Sequence, residues 1–332
     1  MIAVSRNRIA LVVGINHYEH VGSLSGCVAD AKALNNLLTR NGDEAKSKNF
    51  DTKPLLAEDK CSLLTRGRLK DQVECLFEKN AEIALFYFSG HGYIESTGGY
   101  VITSECSRGD DGLSLRTLVD YANSSPARNK VIILDSCFSG AAGDIPTIEN
   151  HAAISDGVTI LTSSRRNEPS REIGMHGVFT NLLVNALEGA AANLTGDITP
   201  GSVYAHIDQS LGAWEQRPVF KTNTESFVSL RKIIPPIPIE ELRRIPELFP
   251  EEGYVFQLNP SFEPRNEGRT SNMLLSNRSN NQIFAVLQRY NRLNLLIPVG
   301  ADHMWNAAME SKGCKLTLLG EYYRRLALNN AI

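Results

Sequence analysis

The sequence has 332 residues, of which 42% are hydrophobic and 21% are charged, and its formal net charge is -3. This composition is typical of a folded globular protein and excludes a disordered chain, and the charge gives no electrostatic basis for general binding to nucleic acid or membranes. At roughly 150 residues per domain, the length accommodates one large core and a smaller second domain.

The N-terminal run IALVVGI (9–15) is too short to span a membrane, and no small-residue cleavage site follows it. We therefore interpret it as a first strand and not as a signal peptide. The six cysteines stand far apart, with no CxxC pair and no spacing typical of a metal site. This usage indicates free thiols in a reducing compartment, so we expect a cytoplasmic protein with no membrane partner.

Short apolar runs rich in β-branched and aromatic residues predict strands that are buried on both faces. These runs occupy 8–15, 83–88, 130–136 and 158–163, and a candidate for a last strand occupies 217–223. Helical patterns alternate with the strands, at 28–38, 62–79, 113–122 and 178–187. This alternation predicts an α/β fold, with a mainly parallel sheet flanked by helices on both faces.

The chain changes character after residue 230. Half of its fourteen prolines stand between 235 and 264, which favours an extended connector that lies over a surface. We therefore predict three parts, with a first domain over 1–230, a proline-rich connector over 231–264 and a small C-terminal domain over 265–332.

Two of the predicted strands end in residues suited to chemistry. His91 stands between two glycines after IALFYF, and Cys137 directly follows VIILDS. The carboxyl ends of parallel strands meet at one edge of a sheet, where functional side chains gather. A histidine there can take the proton of a thiol and later protonate a leaving amine, so the two residues predict a thiol hydrolase. The N–H groups of Gly92 and Cys137 are candidate donors for an oxyanion hole.

Each motif has a plainer interpretation when it is taken alone. A cysteine at a strand end is usually a small buried hydrophobe, and Ser-Gly-His-Gly is more often a turn than a catalytic site. The occurrence of both motifs, each at the end of an apolar strand, favours catalysis.

YFSGHG (87–92) and LDSCFSG (134–140) resemble the His and Cys motifs of the caspase and metacaspase family of cysteine proteases. The resemblance extends over roughly 8–225, through LVVGINHY…LSGCVADAKAL before these motifs and ILTSSRRNEPSRE…HGVFTNLLVNAL after them. It implies a caspase-type α/β sandwich, with Cys137 as nucleophile, His91 as general base and acid, and Gly92 with Cys137 as oxyanion donors. No third catalytic acid is implied.

Charged residues near these motifs indicate which substrate side chain the site prefers. Animal caspases bind a substrate aspartate through arginines, but NHYEHVGSLSGCVADA, after the first strand, contains none. Asp30 and Asp135 match acidic positions that line the substrate pocket in metacaspases, and paired carboxylates favour a cation. We therefore expect an endopeptidase that cleaves proteins or peptides after Arg or Lys. Cys27 and Ser89 are further candidates for the border of the pocket.

Both aspartates also have structural interpretations, because an acidic residue favours a helix N-terminus and aspartate is a common turn former. We expect no cofactor. Some metacaspases depend on calcium, and the nearest acidic pair here is Asp110–Asp111. Two adjacent acids beside a glycine are more typical of a solvated turn than of a site with six to eight oxygen ligands.

No Lys or Arg stands between Cys137 and Arg165. An enzyme specific for basic residues therefore has no site at which to divide itself there, as caspases do, and we expect it to be active without that cleavage. Any self-processing is expected in the connector, at Arg231, Lys232, Arg243 or Arg244.

The C-terminal segment has helical patterns over 281–300 and 301–313 and a strand-to-helix passage over 315–328, which loosely resembles a winged-helix unit. Its surplus of three positive charges over 281–332 is small for a DNA-binding surface. We expect a regulatory protein partner and no nucleic acid.

Bacterial caspase-like proteins with appended domains often serve in conflict systems such as antiphage defence, and a defence role for this protein rests on that analogy alone. The alternative functions are a catalytically silent caspase-fold adaptor that binds proteins, and a DNA-binding regulator built on the C-terminal domain. Intact His91 and Cys137 favour the enzyme.

Overall fold

The computed structural model describes residues 7–136, 138–139, 154–163, 172–173, 176–212, 217–224, 226–265 and 267–332. The chain divides into two units between Ile234 and Pro235. Within the described residues, no helix is both long and apolar enough to cross a bilayer.

The strands of the first unit are β1 (Arg8–Ile15), β2 (Asp51–Ala57), β3 (Ile83–Ser89), β4 (Gly92–Glu95), β5 (Gly98–Val101), β6 (Leu113–Ser114), β7 (Asn129–Asp135), β8 (Phe138–Ser139), β9 (Val158–Thr162), β10 (Glu172–Ile173), β11 (His176–Gly177), β12 (Asp197–Ile198), β13 (Val219–Asn223) and β14 (Arg231–Lys232). Its helices are α1 (Cys27–Thr39), α2 (Arg66–Phe77), α3 (Leu115–Ser124), α4 (Val178–Asn185) and α5 (Pro200–Ser210).

Six strands form the central sheet, in the order β13-β9-β7-β3-β1-β2. The five strands from β9 to β2 are parallel, and β13 joins the edge in the antiparallel direction. Every residue of β3, β7 and β9 is buried, because helices cover both faces of the sheet.

Alternate residues of each strand belong to two different cores. On one face Leu11, Phe86 and Ile132 pack with the apolar residues of α2 and α3. On the other face Val12 and Leu85 pack with the apolar residues of α1, α4 and α5. The predicted α/β fold, with a mainly parallel sheet flanked by helices, is confirmed.

The predictions omit β2 and α5, as well as the short strands outside the central sheet. Strand β2 lies at the sheet edge, contains Pro54 and is half exposed. A proline is tolerated at an edge because its missing N–H interrupts no ladder there, but it weakens the strand pattern. Helix α5 was also missed. It begins with Thr199 as N-cap, and few of its residues are buried.

A smaller sheet, in the order β6-β5-β4-β8, continues from the central one. Only Gly90 and His91 separate β3 from β4. His91 therefore lies at the junction of the two sheets.

The second unit contains α6 (Ile239–Arg243), α7 (Ile245–Leu248), β15 (Val255–Gln257), α8 (Arg278–Arg292), β16 (Leu296–Val299), α9 (Met304–Met309), β17 (Gly313–Leu316) and α10 (Leu318–Leu328). Its three strands form an antiparallel sheet in the order β15-β17-β16. Helices α8, α9 and α10 fall within or overlap the helical stretches of the sequence. Its likeness to a winged-helix unit stays a prediction.

The structure corrects the expected connector over 231–264. Residues from Pro235 onward belong to the second unit and include α6, α7 and β15. The prolines misled the prediction because some of them begin helices, as Pro238 and Pro246 do. The first turn of a helix tolerates proline, since its N–H has no partner within the helix.

Gly14 of β1 lets α1 approach the sheet closely. A Cβ at this position would lie 2.5 Å from the carbonyl oxygen of Cys27 and 2.7 Å from Cβ of Ala31. The contact fixes the first turn of α1 against the end of β1, which positions Asp30.

We expect Gly14→Ala to lower the free energy of unfolding by about 1–3 kcal/mol, the usual cost of overpacking a core. Urea unfolding monitored by circular dichroism measures this change. Gly67→Ala is the matched control, because a Cβ at Gly67 meets nothing within 4 Å. A Gly14→Ala protein as stable as the control would contradict the prediction.

Candidate active site

Three neighbouring strands end at the same level of the central sheet. Gly14 of β1 pairs with Ser89 of β3, which pairs with Asp135 of β7. Since the strands are parallel, the segments that follow them leave the sheet at one edge. The structure therefore brings Ser89 and Asp135 together, and His91 follows two residues after Ser89.

Tyr18 fixes the backbone of His91. The Tyr18 hydroxyl oxygen accepts a 2.8 Å hydrogen bond from the His91 N–H, and the two ring centroids are 4.7 Å apart. A Cβ on Gly90 would lie 2.6 Å from the Tyr18 hydroxyl oxygen, so this approach requires glycine. Burial raises the pKa of the Tyr18 phenol well above its usual value, and the nearby thiols of Cys27 and Cys106 add to this rise.

The hydrogen bond of the His91 side chain assigns its tautomer. His91 Nε2 lies 2.7 Å from the carbonyl oxygen of Gly22. A carbonyl oxygen can only accept, so Nε2 carries the proton in this bond. The neutral ring therefore has its free lone pair on Nδ1, and this nitrogen is the one that can act as a base.

Cys137 lies outside the described residues, but the residues on either side of it are placed. The carbonyl oxygen of Asp135 accepts a 3.3 Å hydrogen bond from the Gly90 N–H. Phe138 pairs with Gly92 in the parallel ladder of β8 and β4. The chain before and after position 137 is therefore held against the residues that flank His91.

The predicted oxyanion donor Gly92 is placed by the ladder of β4. The Ile102 N–H donates to the carbonyl oxygen of His91 at 2.9 Å, and Gly92 pairs with Val101 of β5. Hydrogen-bonding groups alternate in direction along an antiparallel strand, so the Gly92 N–H points away from β5 and towards the side of β8. The role of Gly92 in an oxyanion hole stays a prediction.

The structure also brings Asp30 and Asp135 together. Both are buried, with 2% and 8% of their surface exposed. A Cβ built on Gly177 would lie 3.6 Å from Oδ2 of Asp30 and 3.2 Å from Oδ2 of Asp135. The two carboxylates therefore border one point, with Ser89 beside them, since its Oγ lies 3.5 Å from Asp30 Oδ2.

Asp30 serves the fold as well as this acidic pair. It lies in the first turn of α1, where its N–H donates to the carbonyl oxygen of Gly26 at 2.9 Å. Its Oδ2 accepts from the N–H of Gly177, the N-cap of α4, at 3.4 Å. A carboxylate at two helix N-termini is stabilised by both macrodipoles. Cys27 begins α1 and is half-buried.

A chain of hydroxyl groups reaches Asp135 from the interior. Thr180 Oγ1 lies 2.5 Å from Oδ2 of Asp135 and 2.6 Å from the hydroxyl oxygen of Tyr87. Since the carboxylate only accepts, Thr180 donates to Asp135 and accepts from Tyr87. All three side chains are buried, so the chain fixes the carboxylate of Asp135 in place.

Burial raises the pKa of the Asp135 carboxyl to about 7. The hydrogen bonds from Thr180 and Ser163 oppose this rise, and the negative charge of Asp30 adds to it. Burial likewise raises the pKa of Tyr87, with both carboxylates contributing. A cation between the carboxylates would favour their ionised forms and lower the pKa of Asp135.

Asp110 and Asp111 form a turn of their own. Asp111 accepts hydrogen bonds from the backbone N–H groups of Ser107 and Arg108, and Asp110 forms a 3.2 Å ion pair with Arg108. The part of the chain that the structure describes contains no group of three or more His, Cys, Asp or Glu side chains placed to hold a metal ion.

Several residues of the site escaped the sequence analysis, namely Tyr18, Gly22, Tyr87, Gly177 and Thr180. Tyr18 and Gly22 lie in the polar segment that follows β1. Their position just after a strand end is a signal by which the sequence could have identified them as site residues. Tyr87 and Thr180 stand within apolar patterns that predict only core. No local signal separates them from their neighbours.

The sequence profile of the family described as Caspase domain matches residues 7–228. The chain belongs to this family. Among curated proteins, Metacaspase-3 of Arabidopsis thaliana is 23% identical to it in an alignment 239 residues long, and the match covers 60% of this chain and 62% of that protein. The chain thus matches less than two thirds of this relative's length. The predicted resemblance to caspases and metacaspases is confirmed.

Two solved structures share the fold of the caspase domain. A protein of Geobacter sulfurreducens superposes with a TM-score of 0.50 at 18% identity, over 68% of this chain and 97% of its own. Caspase-1 from Spodoptera frugiperda superposes with a TM-score of 0.50 at 14% identity, over 69% of this chain and 91% of its own. At these identities the likeness establishes the fold alone.

We expect Thr180→Val to raise the pKa of Asp135 further above about 7, because it removes a hydrogen bond that favours the ionised carboxyl. Thr180→Ser keeps the hydroxyl and should keep the pKa. Carbon-13 NMR titration of the Asp135 carboxyl measures both values.

The raised pKa of Asp135 also makes the free energy of unfolding depend on pH. A carboxyl whose pKa rises on folding from 3.8 to about 7 stabilises the fold below pH 4, and this contribution is lost as the pH rises through 7. In Thr180→Val, whose Asp135 pKa is expected to be higher, this stabilisation should persist to a higher pH before it is lost. An Asp135 pKa in Thr180→Val at or below the wild-type value would contradict the role of this hydrogen bond.

Proposed function

We propose that the caspase domain is a cysteine endopeptidase, with Cys137 as nucleophile and His91 as general base and acid. One observation carries the proposal. The residues on both sides of position 137 are bonded to the residues that flank His91, whose Nδ1 is left free by the bond from Nε2 to Gly22. A thiol and an acceptor nitrogen on adjoining segments are the two parts that nucleophilic catalysis needs.

In the proposed reaction, Nδ1 of His91 takes the thiol proton of Cys137, and the thiolate attacks the carbonyl carbon of the peptide bond. The resulting oxyanion is stabilised by the N–H groups of Gly92 and Cys137. Collapse of this intermediate breaks the C–N bond, and His91 returns the proton to the leaving amine. Water then hydrolyses the thioester, with the same imidazole as base.

The carbonyl oxygen of Gly22 takes the place of a third catalytic acid. In a Ser-His-Asp triad the acid orients the histidine and selects its tautomer. Here the hydrogen bond from His91 Nε2 to the carbonyl oxygen of Gly22 would perform both tasks, because it fixes the orientation of the ring and keeps the proton on Nε2.

We further propose that the substrate residue before the cleaved bond is Arg or Lys. The support is the convergence of Asp30 and Asp135 on one point beside Ser89. Two buried carboxylates repel each other, so a cation between them relieves this repulsion, whereas an acidic side chain would increase it.

The proposed specificity bears on self-processing. The segment between Cys137 and Arg165 has no basic residue, so the enzyme is proposed to act without cleavage there. Arg231 is a poorer target than we expected, because its guanidinium donates to the carbonyl oxygens of Leu37, Arg40 and Leu187. Lys232 lies with Arg231 in β14, which pairs with β12.

The unit over 235–332 is our candidate for regulation. It lies beyond the residues that match the caspase domain. Its helix α10 exposes Leu318 by 90% and Tyr322 by 47%, which suits a protein partner better than nucleic acid.

We expect the wild-type protein to cleave fluorogenic peptides that end in Arg or Lys and to leave the matching Asp peptide intact. Cys137→Ala should reduce the initial rate by about 10³-fold or more, because it removes the nucleophile. Equal background rates from both proteins with every peptide would contradict the proposal and favour the adaptor.

Asp30→Asn should raise KM for the Arg peptide by about 10-fold or more, because it removes one charge of the pair at nearly constant volume. Steady-state kinetics at pH 8, where Asp135 is mostly ionised, measure the change. Asp110→Asn is the control, since Asp110 is bonded within its own turn. Identical KM values for the two variants would remove the support for a pocket at Asp30.

A further inference from the structure

The segment between β1 and α1 carries two of the groups that hold His91. The Tyr18 hydroxyl oxygen accepts a hydrogen bond from the backbone N–H of His91, and the carbonyl oxygen of Gly22 accepts one from its Nε2. We call residues 16–25 the histidine-holding segment. Since His91 stands between two glycines, the chain around it has little conformational preference of its own. Its orientation therefore depends on how firmly the histidine-holding segment is fixed.

Asn16 closes this segment at its base. Its carbonyl oxygen accepts a 2.8 Å hydrogen bond from the N–H of Leu24, and its side-chain Nδ2 donates to the carbonyl oxygen of Ser25 at 3.2 Å. The backbone N–H of Asn16 donates to the carbonyl oxygen of Ala57 in β2, at 2.8 Å. The far end of the histidine-holding segment is therefore bonded to a residue that is itself bonded to the central sheet.

The same side chain fixes the start of α1. Asn16 Oδ1 accepts a 3.0 Å hydrogen bond from the N–H of Val28, in the first turn of the helix. The first N–H groups of a helix have no partner within it, and the N-cap residue Gly26 has no side chain to supply one. Asn16 supplies it from the end of β1, and α1 carries Asp30 in the same turn.

The side chain at residue 16 must both accept and donate. A backbone N–H can only donate and a carbonyl oxygen can only accept, so the partners Val28 and Ser25 also fix which atom is Oδ1 and which is Nδ2. Asn16→Asp would keep the acceptor for Val28, but it would place a second acceptor against the carbonyl oxygen of Ser25. One substitution can therefore separate the two bonds of the amide.

We propose that Asn16 is a positioning residue, whose amide joins the segment that orients His91 to the helix that carries Asp30. This inference rests on the proposed function, because it assumes that His91 is the catalytic base. Loss of the bond from Nδ2 to Ser25 loosens the segment that presents Gly22 and lowers kcat. Loss of the bond to Oδ1 loosens the start of α1 and weakens binding of a basic substrate.

The test separates kcat from KM for a fluorogenic peptide that ends in Arg. We expect Asn16→Asp to lower kcat by about 3- to 10-fold, as the loss of one hydrogen bond does, and to change KM by less than about 3-fold. Asn16→Ala removes both bonds, so it should lower kcat similarly and also raise KM by about 3-fold or more. Asn36→Asp is the matched control, because it makes the same change at an exposed position of α1 and should leave both constants unchanged.

A second measurement needs no substrate. Iodoacetamide is small and uncharged, so its reaction with Cys137 reports the thiolate that His91 is proposed to generate and does not depend on the acidic pair. Peptide mapping by mass spectrometry gives the rate at each cysteine. Asn16→Asp should slow the alkylation of Cys137 by about 3- to 10-fold and leave that of the exposed Cys61 unchanged. Alkylation of the buried Cys106 gives the unfolded fraction, for which kcat and the rates are corrected.

A kcat and a Cys137 alkylation rate that stay at the wild-type values in Asn16→Asp would overturn the inference and leave the proposed function intact. A raised KM with an unchanged kcat would also overturn it, because the bond to Ser25 would then act on the substrate pocket and not on His91. A wild-type protein that cleaves neither Arg nor Lys peptides, with Cys137 no more reactive than Cys61, would overturn the proposed function itself.

Discussion

The parallel pairing of β1, β3 and β7 is the constraint on which the site depends. Backbone hydrogen bonds set the register, and the register places Gly14, Ser89 and Asp135 in one row. A slip of one residue in any of these strands would turn its side chains to the opposite face. The register therefore decides at once which residues fill the two cores and which face the site.

The helices bring the remaining groups to this row. Gly14 admits α1 close to the sheet, and α1 carries Asp30. Helix α4 begins beside the same point, with Gly177 over the two carboxylates and Thr180 bonded to Asp135. The acidic pair is thus assembled from three elements, at a place where burial disfavours the charged form and raises the pKa of Asp135 to about 7.

Just after the end of β3, His91 is fixed by groups that are distant from it in the sequence. Tyr18 holds its backbone, and the carbonyl oxygen of Gly22 holds its ring. The second of these bonds does for the tautomer what a carboxylate does in a triad, without adding a negative charge.

The sequence by itself predicted five of the six strands of the central sheet, most of their flanking helices and the strand ends at which His91 and Asp135 lie, because hydrophobic periodicity and strand ends are local signals. It misjudged the segment after residue 234, since prolines at helix starts and in loops give the same composition. Only the tertiary structure decided the roles of Tyr18, Gly22, Thr180 and Gly177. Each acts through a contact with a residue far along the chain, and such contacts exist only once the sheet register and the helix packing are fixed.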